Sequence, residues 1–135
     1  MNIIYDLSEK HIVQLHSLFQ EEWWTKNRSL ADTRSCVVGS QIRIGLVSEK
    51  DELLGFARVL TDYTFKAFIF DVIVAKKERG KGLGNQLLSL IRNHEKVRQV
   101  KHFELYCLPE MFSFYEKRGF TTDIGKIRLM RLINT

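Results

Sequence analysis

The sequence predicts a single α/β domain over residues 1–135, built as a mixed and mostly antiparallel β-sheet flanked by about four helices. Three observations predict it. Ahead of Gly39 the apolar residues recur at helical spacing behind serines able to cap a helix. Between Ile42 and Ala75 they shift to strand periods. A glycine-rich basic loop, Arg79 to Gly84, then opens an amphipathic helix.

Taken in order, Asn2 to Asp6 alternates weakly and reads as a short strand. Ser8 can cap a helix running to about Trp24, with Ile12, Leu15 and Phe19 on one apolar face. Ser29-Leu-Ala-Asp32 has the form of a capping box, so a second helix should follow it, bury Leu30, Val37 and Val38, and stop at Gly39. Ile42, Ile44 and Leu46 alternate with Arg43 and Gly45, as a half-buried strand does. After a turn at residues 48–51, Leu53 to Leu60 completes a hairpin. Lys66 to Ala75 is nearly continuous in apolar character, which suits a strand covered on both faces.

Leu83, Leu87, Leu88 and Ile91 mark the helix after the glycine loop, and Phe103 to Cys107 a further strand. Pro109 suits the first turn of a helix that Phe112 and Tyr115 continue and Gly119 ends. Lys126 to Leu132 alternates and is expected as a last strand. The predicted order is therefore β-α-α-β-β-β-α-β-α-β.

Composition narrows the function classes. A 135-residue chain buries roughly two thirds of its unfolded surface, enough to fold without metal or disulfide staples. Cys36 and Cys107 are too few and too far apart for a zinc site or disulfide framework, and no metal is expected. The opening MNIIYDLSEK does not read as a signal peptide, and the longest apolar run, Ala67 to Phe70, falls far short of the ~20 residues of a membrane span. A cytoplasmic protein is expected, without a membrane partner. The four histidines lack ligand spacing and read as surface residues. The net charge of +5 fits either nucleic acid or a polyphosphate ligand. Lys76, Lys77, Arg79 and Lys81 crowd one glycine-rich segment, which points to phosphate and away from nucleic acid.

That segment carries the chemistry. The first amides of a helix lack internal partners and sit at the positive end of its dipole. Glycines let an anion approach them closely. Val72-Ile-Val74 supplies the strand, Gly80, Gly82 and Gly84 the loop, and Asn85 onward the helix, while Arg79 and Lys81 add charge. Gly84 is followed by Asn-Gln, so the loop is no Walker motif, and its Gly-x-Gly-x-Gly spacing does not match a dinucleotide fingerprint.

Arg79-Gly-Lys-Gly-Leu-Gly84 resembles the Arg/Gln-x-x-Gly-x-Gly/Ala signature of the GCN5-related N-acetyltransferases (GNAT). Leu54-Gly-Phe-Ala-Arg58 is similar to that family's third strand, Asp71 to Ala75 to its fourth, and Phe114-Tyr-Glu-Lys-Arg-Gly-Phe120 to its late Tyr-x-x-x-Gly-Phe element. The resemblance implies a GNAT-like fold and transfer of an acetyl group from acetyl-coenzyme A to the primary amine of a small molecule. A protein N-terminus or lysine as acceptor, or a non-catalytic module, are the other readings.

It also implies a coenzyme wedge between the fourth and fifth strands. The amides of Gly80, Lys81, Gly82, Leu83, Gly84 and Asn85 would hold the diphosphate beside Arg79. The backbone of Val72, Ile73 and Val74 would pair with the pantetheine arm, and an amide near Val74 would polarise the thioester carbonyl. Tyr115 matches the tyrosine that protonates departing coenzyme A, or else is a packed aromatic. Asp71 and Asp62 are the leading candidates for the base, or else a partner for a buried polar group and a turn residue, with Glu22 and a water relay also open. Histone-acetylating relatives carry a glutamate on the fourth strand where this chain has Phe68. The acceptor pocket is expected from the first two helices and their connection. Trp24 would roof it while the core takes one of the adjacent Trp23 and Trp24, and Arg58 is either an anion hook or an outward-facing charge. Pairing of relatives through late strands points to a homodimer.

Overall fold

Ser8 starts the first helix, α1 (Glu9–Gln20), through a capping box in which histidine replaces the usual glutamate. The His11 amide donates to the Ser8 hydroxyl at 3.4 Å, and the Ser8 amide donates to His11 Nδ1 at 3.1 Å. His11 is thereby drawn inside, 6% exposed, with Nε2 2.9 Å from Asp51 Oδ1. It is not the surface residue its sequence context predicts.

The computed structural model describes residues 1–135, which divide into two units, 1–105 and 106–135. The first unit holds the sheet. Its strands are β1 (Asn2–Ile4), β2 (Ile42–Val47), β3 (Leu53–Thr61), β4 (Lys66–Val74) and β5 (His102–Glu104), ordered β1-β2-β3-β4-β5. The first four pair antiparallel, whereas β4 and β5 run parallel, so the sheet is mixed as expected.

Helix α1 ends at Gln20, short of the expected Trp24. The Glu21 amide reaches back to Leu18 O (3.1 Å), and the buried Thr25 hydroxyl takes the Phe19 carbonyl at 2.8 Å. Side chain and tight turn thus replace the helical ladder. The second helix, α2 (Leu30–Val38), has the predicted Ser29–Asp32 box, with bonds of 3.0 and 3.2 Å. Its inward face is Thr33 and Val37, four residues apart, while Val38 is exposed.

Phe56 and Ile73 pack with Leu15, Phe19, Val37 and Leu53 in one apolar cluster, so α1 and α2 lie on that face of the sheet. Burying each such side chain is worth about 1.5–3 kcal/mol. Gly55, adjacent to Phe56 and therefore facing the other way, lies under Leu87 of α3 (Leu83–Arg92): a Cβ there would sit 3.5 Å from Leu87. Helices consequently cover both faces of β3 and β4.

The second unit contains a 3-10 turn at Pro109–Met111 and helix α4 (Phe112–Glu116), followed by Gly119 at φ 95°. Residues 126–132, expected as a closing strand, form none. Ile127, Leu129, Met130 and Leu132 are all exposed, Leu132 at 94%. Alternation specifies a strand only where a ladder and a covered face select it, and this segment has neither.

Candidate active site

The site is organised by two irregularities of β4. The first is its second edge. Pairing with β5 spans Lys66↔His102, Ala67↔Phe103 and Phe68↔Glu104, and stops there, while β4 continues to Val74. Beyond Phe68 that edge has no neighbouring strand. The Ala75 amide donates to Leu54 O at 2.8 Å, and bonded and non-bonded pairs alternate in an antiparallel ladder. Ile73 is therefore turned toward β3, and Val72 and Val74 present their N–H and C=O groups to the open edge. The expectation of three available residues reduces to two.

The second irregularity is a bulge. Phe56 pairs with Ile73 and Arg58 with Phe70, so Asp71 and Val72 together oppose Ala57. Asp71 takes φ 57°, a left-handed conformation that aspartate tolerates better than most residues. The extra residue lets Asp71 point toward α1 and α2. Its buried carboxylate receives Arg28 Nη1 at 2.7 Å on Oδ2, Arg28 Nη2 at 3.0 Å on Oδ1, and Arg58 Nε at 2.6 Å on Oδ2.

This geometry speaks against two of the expected roles. Both Asp71 oxygens are committed to guanidinium donors, which makes the residue a clasp in place of a free base. Arg58 is only 12% exposed at its side chain, is tied to Asp71, and reaches Ser40 Oγ at 3.4 Å. It is neither outward-facing nor a free hook. Its guanidinium also lies 4.9 Å above the Phe70 ring.

Asp62 is likewise committed. Its Oδ1 accepts the amides of Thr64, Phe65 and Lys66 at 2.9, 2.8 and 3.0 Å, closing the β3–β4 turn. The Lys66, Thr64 and Phe65 amides, in that order of effect, hold its carboxyl below the ordinary range. It is a turn residue.

β4 runs through a 3-10 turn at Lys76–Glu78 into the glycine loop. Gly80 and Gly82 stand at φ 80° and 83°, where a Cβ would be strained, yet one built at either meets nothing within 4 Å. The space in front of both glycines is open. Gly82 caps α3 with no side-chain hydrogen bond, and the helical ladder begins with Gln86 N donating to Gly82 O at 3.0 Å. The amides of Leu83, Gly84 and Asn85 precede that ladder, at the positive end of the helix. Leu83 is buried, so only its backbone can serve. Lys81 Nζ pairs with Glu78 at 3.0 Å, and Arg79 with Glu22. These features fit a diphosphate.

The α1–α2 connection crosses this region. Glu22 holds one end through Arg79, and Arg28 holds the other through Asp71. Between them Trp23 and Trp24 are 65% and 41% exposed, and the buried residue is Thr25. Neither tryptophan belongs to the core. The pairing of Arg28 with Asp71 was not legible, because the two lie 43 positions apart.

Tyr115 lies in the second unit, edge-to-face with Phe114 (5.0 Å between centroids) and Phe120 (5.7 Å). Burial, with a smaller contribution from Cys107, pushes its phenol up to about 12 against a slight opposing pull from Arg118. It therefore stays protonated across the neutral range.

A strand with one open edge, a bulge, and a glycine-lined helix N-terminus are the arrangement expected of the family that the sequence resembles. Comparison with known proteins agrees. Residues 40–122 match the family described as acetyltransferase (GNAT) domain, and the chain belongs to that family. An uncharacterized N-acetyltransferase ycf52 of Pyropia yezoensis is 33% identical over 132 residues, covering 94% of this chain and 75% of the relative. Its counterpart in Porphyra purpurea is 30% identical, covering 89% and 70%. Among solved structures, a protein assigned to the GNAT family from Xanthomonas campestris pv. campestris superposes with a TM-score of 0.85 at 25% identity, over 98% of this chain and 92% of that one. The protein is an acetyltransferase of the GNAT family. No helix is long and apolar enough to cross a membrane.

Proposed function

We propose that residues 1–135 act as one catalytic domain that transfers the acetyl group of acetyl-coenzyme A to the primary amine of a small molecule in the cytoplasm. The observation that carries this reading is the open edge of β4, followed one short turn later by a glycine-lined helix N-terminus that has no side-chain cap.

When bound, the coenzyme supplies an acetyl group activated as a thioester. The backbone amides from Gly80 to Asn85 would hold its diphosphate, and Val72 and Val74 would pair with its arm. The Val72 amide follows the bulge at Asp71 and faces the open edge, which makes it the donor for the developing oxyanion. Tyr115 would serve the leaving sulfur. Its phenol, kept protonated by burial, would donate its proton to the sulfur as the C–S bond breaks. With Asp71 and Asp62 committed elsewhere and Glu22 held by Arg79, the amine proton leaves through water. A homodimer belongs to the same proposal.

The acceptor side favours an amine on an apolar body. Phe68 and Phe70 stack with 6.0 Å between centroids, half-buried on β4, and the exposed Leu60 is opposite Phe68 in register. Trp24 stands on the α1–α2 connection. Phe68, which replaces a glutamate of histone-type members, cannot serve as a base.

The test is coenzyme A release from acetyl-coenzyme A in the presence of aliphatic amines, aromatic-bodied amines, and peptides with free N-termini or lysines. Turnover with small amines, highest for those with apolar bodies, is expected. Release only with peptides, or with no amine, overturns the reading.

A further inference from the structure

Arg79 stands at a junction of three elements. Its Nη2 pairs with Glu22 on the α1–α2 connection, its Nε donates to Val74 O at 3.3 Å on the open edge of β4, and its own backbone leads into Gly80. Glu22 is the more enclosed partner, with its side chain 19% exposed against 49% for Arg79. The guanidinium thus occupies the edge carbonyl that an added extended chain would need. It holds a carboxylate beside a loop suited to a diphosphate.

A diphosphate carries more negative charge than a carboxylate and offers more acceptor oxygens to a guanidinium. A ligand in the Gly80–Gly82 cradle would therefore compete with Glu22 for Arg79. The Glu22 carbonyl accepts the amides of Thr25 (3.2 Å) and Lys26 (2.8 Å), so the turn bearing Trp23 and Trp24 is continuous with Glu22. The far end of the connection is fixed separately by the buried Arg28–Asp71 clasp.

We propose that Glu22 is a positioning residue that couples coenzyme occupancy to the acceptor side: the coenzyme's diphosphate displaces the Glu22 carboxylate from Arg79, and the freed turn carrying Trp23 and Trp24 adjusts over the acceptor. The proposal rests on the coenzyme reading given above. In the coenzyme-free protein Glu22 restrains Arg79 and uncovers neither the Val74 carbonyl nor the guanidinium. Removing its charge relieves a competitor, so coenzyme affinity rises while the acceptor side loses its coupling.

The test is calorimetric titration of acetyl-coenzyme A into the wild type, Glu22→Gln, Glu22→Ala, Arg79→Ala and the Glu22→Gln/Arg79→Ala double variant. Steady-state kinetics on the same proteins accompany it. Both Glu22 variants are expected to bind coenzyme about three-fold or more tightly than the wild type, as expected when a competing state is removed. Glu22→Gln on the Arg79→Ala background is expected to change nothing. By linkage, acceptor affinity of coenzyme-free Glu22→Gln should approach that of the coenzyme-saturated wild type while its coenzyme KM falls, a pattern that simple loss of stability does not produce. Unchanged or weaker coenzyme binding in both Glu22 variants overturns the proposal, as does an equal gain without Arg79. A wild type that binds no acetyl-coenzyme A overturns the enzymatic reading itself.

Discussion

Arg28 grips both carboxylate oxygens of Asp71, at 2.7 and 3.0 Å, from the far end of the α1–α2 connection. The pair joins the bulge of β4 to the segment expected to cover the acceptor, and Arg58 completes it from β3. The Asp71 side chain is only 3% exposed, so it is the buried counter-charge for two cations.

Removing that counter-charge leaves two guanidinium groups without it inside the fold. Asp71→Ala is expected to destabilise the protein by about 3–5 kcal/mol, as broken buried pairs do, measured by urea unfolding. At temperatures where the variant remains folded, the acid limb of its pH–rate profile should match that of the wild type. Loss of that limb would restore Asp71 as the base.

Gly82 caps α3 at φ 83° with open space where a Cβ would stand. Alanine there adopts a left-handed conformation at a cost of about 1–2 kcal/mol and projects a methyl into the cradle. Gly82→Ala is expected to weaken acetyl-coenzyme A binding about ten-fold or more, each factor of ten being 1.4 kcal/mol. A calorimetric Kd equal to that of the wild type would remove the loop from the coenzyme site.

Tyr115→Phe deletes the phenol and keeps the ring that packs on Phe114 and Phe120. Turnover is expected to fall about ten-fold or more with coenzyme Kd unchanged, the pattern of a group used only in the transition state. The same variant tests the phenol's environment. The native group ionises near 12, whereas an unfolded tyrosine does so near 10. Between these values the unfolded chain binds fewer protons, so stability contributed by Tyr115 is present below pH 10 and is lost as pH rises toward 12. Phenolate absorbance in the wild type should show a late ionisation that Tyr115→Phe lacks.

Asp62 titrates in the opposite sense. Three backbone amides favour its charged form, so its folded value lies below the unfolded one of about 3.9. Its contribution to stability is present above that pH and disappears as pH falls through the folded value. Asp62→Ala should therefore lower the melting temperature at pH 7 and converge with the wild type under acid conditions. A constant difference at every pH would show that the turn does not depend on the charge.

Local signals carried most of the fold. The Ser8 and Ser29 caps, the glycine loop before α3 and Pro109 at the head of the 3-10 turn before α4 are short-range features that mark their elements, although α3 starts at Leu83, ahead of the expected Asn85. The glycine cradle was legible for the same reason. What was not legible depends on partners distant in sequence. Asp71 reads as a candidate base in the sequence, whereas Arg28 and Arg58 hold it from 43 and 13 positions away. Asp62 is the local exception: its partners lie two to four residues away, and the turn residue that the sequence offers beside the base is the one the structure holds. The alternation of residues 126–132 was misleading because side-chain period does not supply a paired edge.

The central claim is that the open edge of β4 and the glycine loop form one coenzyme site. Backbone amide resonances recorded during titration with acetyl-coenzyme A test it most directly. Saturable shifts concentrated at Val72, Val74, Gly80, Gly82 and Gly84, with Ile73 less affected, are predicted. Saturation with those amides unmoved, or no saturation at all, would contradict it.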